Sequence, residues 1–208
     1  MSNAMCVQYG CGWSAPITWE NYDASRTIQF ERLPLIGKLY TKNESRFPEN
    51  VQFGDIVKGL PLPDAGCQLI YCSHVLEHLS LEDFRKALQN TYRKLDAGGV
   101  FRFVLPDLEY YAKQYIDDPS PDSALSFMRK TSLGYESRNR SLKGLLLSWL
   151  GNSQHLWMWD YKSIELELEK IGFQDIRRAQ FGDSADTRFK DVEDKARWDD
   201  CLGVECKK

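Results

Sequence analysis

A chain of 208 residues suits one α/β domain, and its 42% hydrophobic content supplies a full core without any low-complexity stretch. The formal net charge of -3 gives no overall field to attract nucleic acid or an anionic membrane. The longest apolar run, at Leu145-Leu146-Leu147, falls far below the ~20 residues that cross a bilayer. A cytoplasmic location is therefore expected, with neither nucleic acid nor membrane as partner.

Met1-Ser2-Asn3-Ala4 reads as a remnant ahead of a native Met5, leaving 5–208 as the domain. Met5 to Tyr9 is a short strand candidate that runs straight into Gly10-Cys11-Gly12. Residues 28–50 are broken by Pro34, Gly37 and Pro48 and predict loop with at most short elements. Asn50 to Ile56 alternates and reads as a strand, and Gln68 to Cys72 is an apolar run of the kind buried in a parallel sheet. Ser80 with Asp83 three residues on is an acidic variant of the capping box. Leu81, Phe84, Leu88, Tyr92 and Leu95 then repeat at helical spacing until Gly98-Gly99, where the helix is expected to end.

Val100 to Leu105 predicts a strand stopped by Pro106. Residues 107–150 hold about three helical patterns, broken at Asp118-Pro119-Ser120-Pro121 and at Gly134. A helix over 161–171 closes at Gly172, a strand covers Asp175 to Phe181, and Leu202 to Cys206 is a last short strand. Strands alternating with helices predict a Rossmann-like, mostly parallel sheet of about six or seven strands, with helices on both faces. Residues 108–152 are expected to form a helical insertion after the fifth strand, placed either to cover the cleft as a lid or to pack on the sheet or a partner subunit.

Six cysteines stand at 6, 11, 67, 72, 201 and 206, none of them as C-x-x-C, and they read as thiols in or beside strands. The stretch His74-Val75-Leu76-Glu77-His78 matches H-x-x-E-H, an inverted zinc-protease signature. That reading needs both histidines on one helix face, yet the helix is capped at Ser80, after the motif. No downstream glutamate stands out as a third ligand, so the stretch reads as the end of a strand and no metal is expected.

In open parallel sheets, ligands bind at the carboxyl ends of the strands. The residues there are Gly10-Cys11-Gly12, Asp23, Asp55-Ile56, Ser73-His74 and Pro106-Asp107. With the stretches VQYGCG, WENYDAS, VQFGDIVKGLPLPD, LIYCSHVLEHLS, YRKLDAGGVFRFVLPD and HLWMWDYKSIELELEKIGF in this order, the chain resembles a class I S-adenosylmethionine-dependent methyltransferase, of the type 11-like group. The resemblance implies S-adenosylmethionine as cofactor and S-adenosylhomocysteine as product. It implies a cofactor site of Tyr9, Gly10, Cys11, Gly12, Asp23, Ala24, Asp55, Ile56, Ser73 and His74: the glycines against the amino-acid moiety, Asp23 on the ribose, Asp55 and Ile56 about the adenine, and Ser73-His74 near the methionyl end.

Three departures stand out. The acidic residue usual two positions before the first glycine is Gln8, the usual third glycine is Ser14, and only ten residues separate Gly12 from Asp23. Ten residues are too few for a crossover helix and a strand, so a truncated helix or irregular loop is expected. These departures motivate a second reading, a degenerate methyltransferase fold that binds cofactor or protein without turnover. A nicotinamide-dependent oxidoreductase is disfavoured because G-x-G-x-x-G is absent, Ala15 standing at the third position.

Methyl transfer from a sulfonium asks mainly for alignment, and a hydroxyl acceptor profits from a general base. His74, Asp107 and His155 are the candidates. No Asp-Pro-Pro-Tyr follows the fourth strand, and no Pro-Cys nucleophile is present, so a small or sugar-like molecule is the expected acceptor and a homodimer the expected assembly. The basic run Arg138, Arg140, Lys143 reads as a solvated face, and Trp157, Trp159 and Tyr161 as core packing or a pocket wall.

Overall fold

The computed structural model describes residues 5–33, 45–137 and 154–208. Met1 to Ala4, the middle of the irregular 28–50 stretch, the third helical pattern of the insertion and the basic run at Arg138 to Lys143 lie outside the described residues. Seven strands form one sheet in the order β3-β2-β1-β4-β5-β7-β6. The strands are β1 (Met5–Tyr9), β2 (Glu20–Asp23), β3 (Val51–Phe53), β4 (Cys67–Ser73), β5 (Leu95–Pro106), β6 (Gln174–Ala179) and β7 (Cys201–Lys207). β1 to β5 run parallel, and β7 pairs antiparallel with both β5 and β6. The order reverses between β1 and β4, which makes their carboxyl ends the switch point of the sheet.

Five helices are described: α1 (Arg26–Glu31), α2 (Leu81–Lys94), α3 (Leu108–Asp117), α4 (Ser123–Lys130) and α5 (Tyr161–Ile171). Ser80 caps α2 by accepting from the Asp83 amide at 3.2 Å. Asp160 and Ser163 close a capping box on α5, and Gly172 ends it with φ of 109°, a conformation that favours glycine. Phe84, Leu88, Ile164 and Leu168 lie on the buried sides of α2 and α5 and pack with Phe101, Phe103 and Leu105 of β5 on one face of the sheet.

One element differs from expectation. α2 does not run to Gly98-Gly99: Leu95 is already extended and opens β5. Pairing to the C-terminus overrides helix continuation, because Gly98 N donates to Lys208 O at 2.9 Å and Lys208 N to Gly99 O at 3.0 Å. The segment after the first strand is the irregular loop that its length allowed. The ten residues between β1 and β2 hold no helix, and the second face is closed by Trp19 with Phe189, Val192 and Trp198 from short 3-10 turns near the C-terminus.

That second face is tied down by one cation. Arg102, in the middle of β5, is fully buried. Its Nε donates to Glu193 at 2.6 Å, Nη1 to Asp183 and Glu205 at 3.0 Å each, and Nη2 to the Gln180 carbonyl at 2.7 Å. Its guanidinium also stacks over Trp198 at 4.6 Å. Every polar edge is satisfied, which is what makes a buried charge tolerable. Removing it leaves Glu193 buried without a cation. Arg102→Ala is therefore expected to cost about 3–5 kcal/mol, read as a fall in urea midpoint. A loss below about 1 kcal/mol, as for an exposed ion pair, would contradict this account.

α2 and α5 are joined by Arg85, whose Nε and Nη2 grip Glu167 at 2.7 and 2.9 Å, with Lys170 adding a third bond at 2.7 Å. The Arg85 hydrogen bonds hold the Glu167 carboxyl down at about 2, against an ordinary 4.5. A depressed carboxyl stabilises the fold fully above the ordinary value and loses that contribution as pH falls towards the depressed one. Stability should thus drop between pH 4.5 and about 2, and Glu167→Gln should flatten that drop by on the order of 1–2 kcal/mol, Arg85 being half-exposed and screened. Melting temperatures across this range for both proteins check it.

Candidate active site

The site begins where β1 ends. Gly10 and Gly12 take φ of 66° and 55°, the left-handed region where glycine is at home. A Cβ on Gly10 would drive into Val75 Cγ2, so the turn lies directly against the segment leaving β4. The turn is pinned to β2: Cys11 N donates to Tyr22 O at 3.2 Å, and Gly12 N to Asp23 Oδ2 at 2.9 Å. Asp23 Oδ1 accepts from Ser25 N at 2.8 Å, which orients the carboxylate, while the residue stays half-buried beside exposed Ala24. The Tyr9 side chain goes into the core, its hydroxyl 3.3 Å from Thr91 Oγ1. Burial pushes the Cys11 thiol up to about 12, so it stays protonated at neutral pH.

The end of β3 is tied to the same corner, Gly54 N donating to Asp23 O at 3.1 Å. Asp55 accepts from Val57 N at 3.0 Å and faces Lys58 Nζ at 3.2 Å. Buried Ile56 is fixed through its carbonyl by Asn90 Nδ2 of α2, at 2.8 Å. A glycine turn, a half-buried carboxylate at the next strand end and a second carboxylate beyond it suit an adenosyl cofactor: close backbone approach, acceptors for a diol and an acceptor for an amine.

At the exit of β4 the chain turns sharply. His74 has φ of 54°, and residues Leu76–His78 form a single 3-10 turn. Both Ser73 oxygens are taken by Arg197, Nε to Oγ at 2.7 Å and Nη2 to the carbonyl at 3.0 Å. His74 lies between two elements, its Nε2 2.9 Å from Arg197 O and its Nδ1 3.3 Å from Glu77 Oε1. Burial alone would lower its pKa, but the Cys201 and Glu77 side chains and the Arg197 carbonyl raise it to about 10. His74 therefore carries a proton at neutral pH.

Glu77 is 1% exposed, and neither carboxylate oxygen has a hydrogen-bond partner among the described residues. Around it stand His74, His78, whose Nε2 is 4.0 Å from Oε1, and His155, whose ring lies edge-on to His78 with centroids 5.0 Å apart. The backbone brings His155 here: Leu156 N and Trp157 N both donate to Glu77 O, at 2.8 and 3.1 Å. Burial lowers the pKa of His155, and its Nδ1 is buried without a partner. Asp107 stands apart from this group. It caps α3 by accepting from Glu109 N at 2.9 Å and faces Arg178 Nη1 at 3.6 Å. Trp159 stacks on Phe84 at 4.1 Å in the core, whereas Trp157 is exposed. Of the three bases weighed in the sequence, two thus meet around Glu77, a residue that only the H-x-x-E-H pattern had signalled.

A methyltransferase-domain family model matches residues 9–177. No curated protein matches the chain. Among solved structures, a S-adenosylmethionine-dependent methyltransferase from Archaeoglobus fulgidus is similar at 17% identity and a TM-score of 0.51, over 99% of this chain and 86% of that one. One from Thermotoga maritima is similar at 14% identity and 0.52, over 100% and 84%. PigF with S-adenosylhomocysteine matches at 18% identity and 0.52, over 98% of this chain and 50% of its own. At such identities these structures speak for the fold, and the family model speaks for the activity. The glycine turn against Val75 and the seven-strand order therefore belong to a member of the methyltransferase-domain family, a class I S-adenosylmethionine-dependent methyltransferase.

Proposed function

We propose that the chain methylates a small-molecule acceptor seated near the carboxyl ends of β4 and β5, beside the helical pair α3–α4. The observation that carries this reading is the character of that pair. Neither helix buries a residue of its own. They lean on each other through Tyr115 and Phe127, 5.7 Å apart, and expose Ile116, Leu125 and Met128. Apolar side chains left uncovered next to a strand-end site suit a compact organic acceptor and the role of lid. The net charge of -3 supplies no field for a polyanion.

Gly10, Gly12 and Asp23 hold the amino-acid and ribose parts of the cofactor, and Asp55 with Ile56 flanks its adenine. When bound, S-adenosylmethionine supplies a methyl group made electrophilic by its sulfonium, so the chain contributes alignment and exclusion of water. Activation of a hydroxyl acceptor falls to His155. His74 has both ring nitrogens engaged, by Arg197 O and Glu77, and Asp107 is engaged by α3 and Arg178, whereas His155 Nδ1 has no partner among the described residues.

Calorimetric titration with S-adenosylhomocysteine, with NAD as control, tests the cofactor site. Micromolar binding of the first and none of the second is expected. Asp23→Asn leaves one acceptor for the two loop amides, turns an NH2 group towards the other and removes the charge that faces the ribose. It should weaken binding about 10–100-fold, the equivalent of about 1.5–3 kcal/mol for a hydrogen bond to a charged group. Equal binding of NAD, or an unchanged Asp23→Asn, would overturn the assignment.

A further inference from the structure

A buried carboxylate with no hydrogen bond is costly, and here it faces two imidazoles. Ligand atoms of Glu77, His78 and His155 all lie within 4.8 Å of one another. Ligands about 2.0–2.1 Å from a tetrahedral ion stand about 3.4 Å apart, so a small rotamer adjustment closes the set. His78 Nδ1 is 2.9 Å from the Gln154 carbonyl, which draws the ring proton to Nδ1 and turns Nε2, with its lone pair, towards Glu77. His155 Nδ1 is buried and unpartnered. Glu77 Oε1 has His74 Nδ1 at 3.3 Å and His78 Nε2 at 4.0 Å, and neither Glu77 oxygen has a hydrogen-bond partner among the described residues. Two independent observations thus point inward, a convergent donor set and orphaned buried atoms on two of its three members.

We propose that Glu77, His78 and His155 bind a divalent transition-metal ion such as Zn2+, with His74 as the residue that orients Glu77. Two imidazoles and one carboxylate are a ligand set for zinc and its neighbours in the first row, and three protein ligands leave an open position. His74 is not a ligand, since its two nitrogens face Arg197 O and Glu77. The motif H-x-x-E-H therefore supplies two ligands and an orienting residue, and the third ligand arrives from the far side of the insertion. Val75 sits against Gly10 at the glycine turn, and Glu77 lies two residues further on, so the ion would stand close to the proposed cofactor site, with its open position free for a further ligand. It suits an oxygen of the acceptor, a hydroxyl or a carboxylate; with the ion bound, His155 is a ligand and no longer a base, and activation of a hydroxyl would pass from that imidazole to the ion. That use rests on the methyl-transfer reading; the binding of the ion does not.

The test reads binding alone. Chelator-stripped full-length protein is titrated with Zn2+ by calorimetry and with Co2+ by visible absorption, and its melting temperature is followed with and without Zn2+. One equivalent should bind, with cobalt bands of low coordination and a rise in melting temperature. His155→Ala and His78→Ala, each shown folded by circular dichroism, should lose both. His74→Asn, which tolerates the left-handed backbone, should weaken binding about 10–100-fold, as loss of an orienting partner does. No binding by the folded wild type, unchanged binding in His155→Ala, or a thiolate-to-cobalt charge-transfer band placing the ion on cysteines would each overturn the proposal. S-adenosylhomocysteine titrated in the absence of metal keeps failure here distinct from failure of the cofactor site.

Discussion

Glu77 is the constraint on which the arrangement of the site depends. A carboxylate 1% exposed loses most of its hydration, at a cost of several kcal/mol unless charge and hydrogen bonds replace the water. The replacement is a ring of three histidines, one beside it in the motif, one three residues before it, and one that comes from beyond the insertion. The same residue's carbonyl receives the amides of Leu156 and Trp157. Side chain and backbone of one residue thus fix where the chain returns to the sheet, and Val75 beside it fixes where the cofactor turn lies. Loop, strand end and returning segment meet because Glu77 is buried.

The molecule holds a second buried charge, and the contrast is instructive. Arg102 is surrounded by three carboxylates, a carbonyl and an indole face, with its polar edges satisfied. It fastens the C-terminal segment to β5 and has nothing left to offer a ligand. Glu77 has partners at ion-pair distance but none in hydrogen-bonding geometry. Buried polar groups in folded proteins are generally satisfied, so a fully buried carboxylate without hydrogen bonds, set beside two imidazoles, fits the ligand set proposed for it. By this comparison Arg102 is architecture and Glu77 is site.

Much of this was legible in the sequence, where local chemistry decided the outcome. Ser80 and Gly172 announced helix ends by side-chain hydrogen bonding and backbone freedom, and the apolar run at 68–72 announced a buried strand. The ten residues after Gly12 were too few for a full crossover helix and a strand, which left a truncated helix or an irregular loop, and the structure has the loop. What stayed hidden was decided at long range. Gly98-Gly99 looked like a helix end, but Lys208 pairs with both residues and draws the segment into β5. α1 is short and begins at Ser25, whose side chain accepts from Thr27 N, a cap with no apolar repeat behind it to raise it above the surrounding loop. The antiparallel course of β7 leaves no mark in a seven-residue strand. The meeting of His155 with Glu77 bridges 78 positions in the numbering, so no spacing rule could connect them, and the zinc signature lost weight for want of a third ligand nearby.

The departures from the family pattern at the first strand follow from the same length constraint. Without a helix between β1 and β2, the loop has no internal ladder, and its carbonyls need donors from side chains. Gln8, buried at the end of β1, donates from Nε2 to Ser14 O at 2.7 Å and to Asn21 Oδ1 at 2.5 Å. Asn21 in turn donates to Pro16 O at 3.0 Å and Trp19 O at 2.7 Å. A carboxylate at position 8 has no hydrogen to give, and would set its charge against a carbonyl and an amide oxygen in a buried place. The carboxamide is what a short loop requires there. Gln8 is therefore a consequence of the missing helix, and Asp23, held in place by the very turn it supports, is left to serve the cofactor site proposed above.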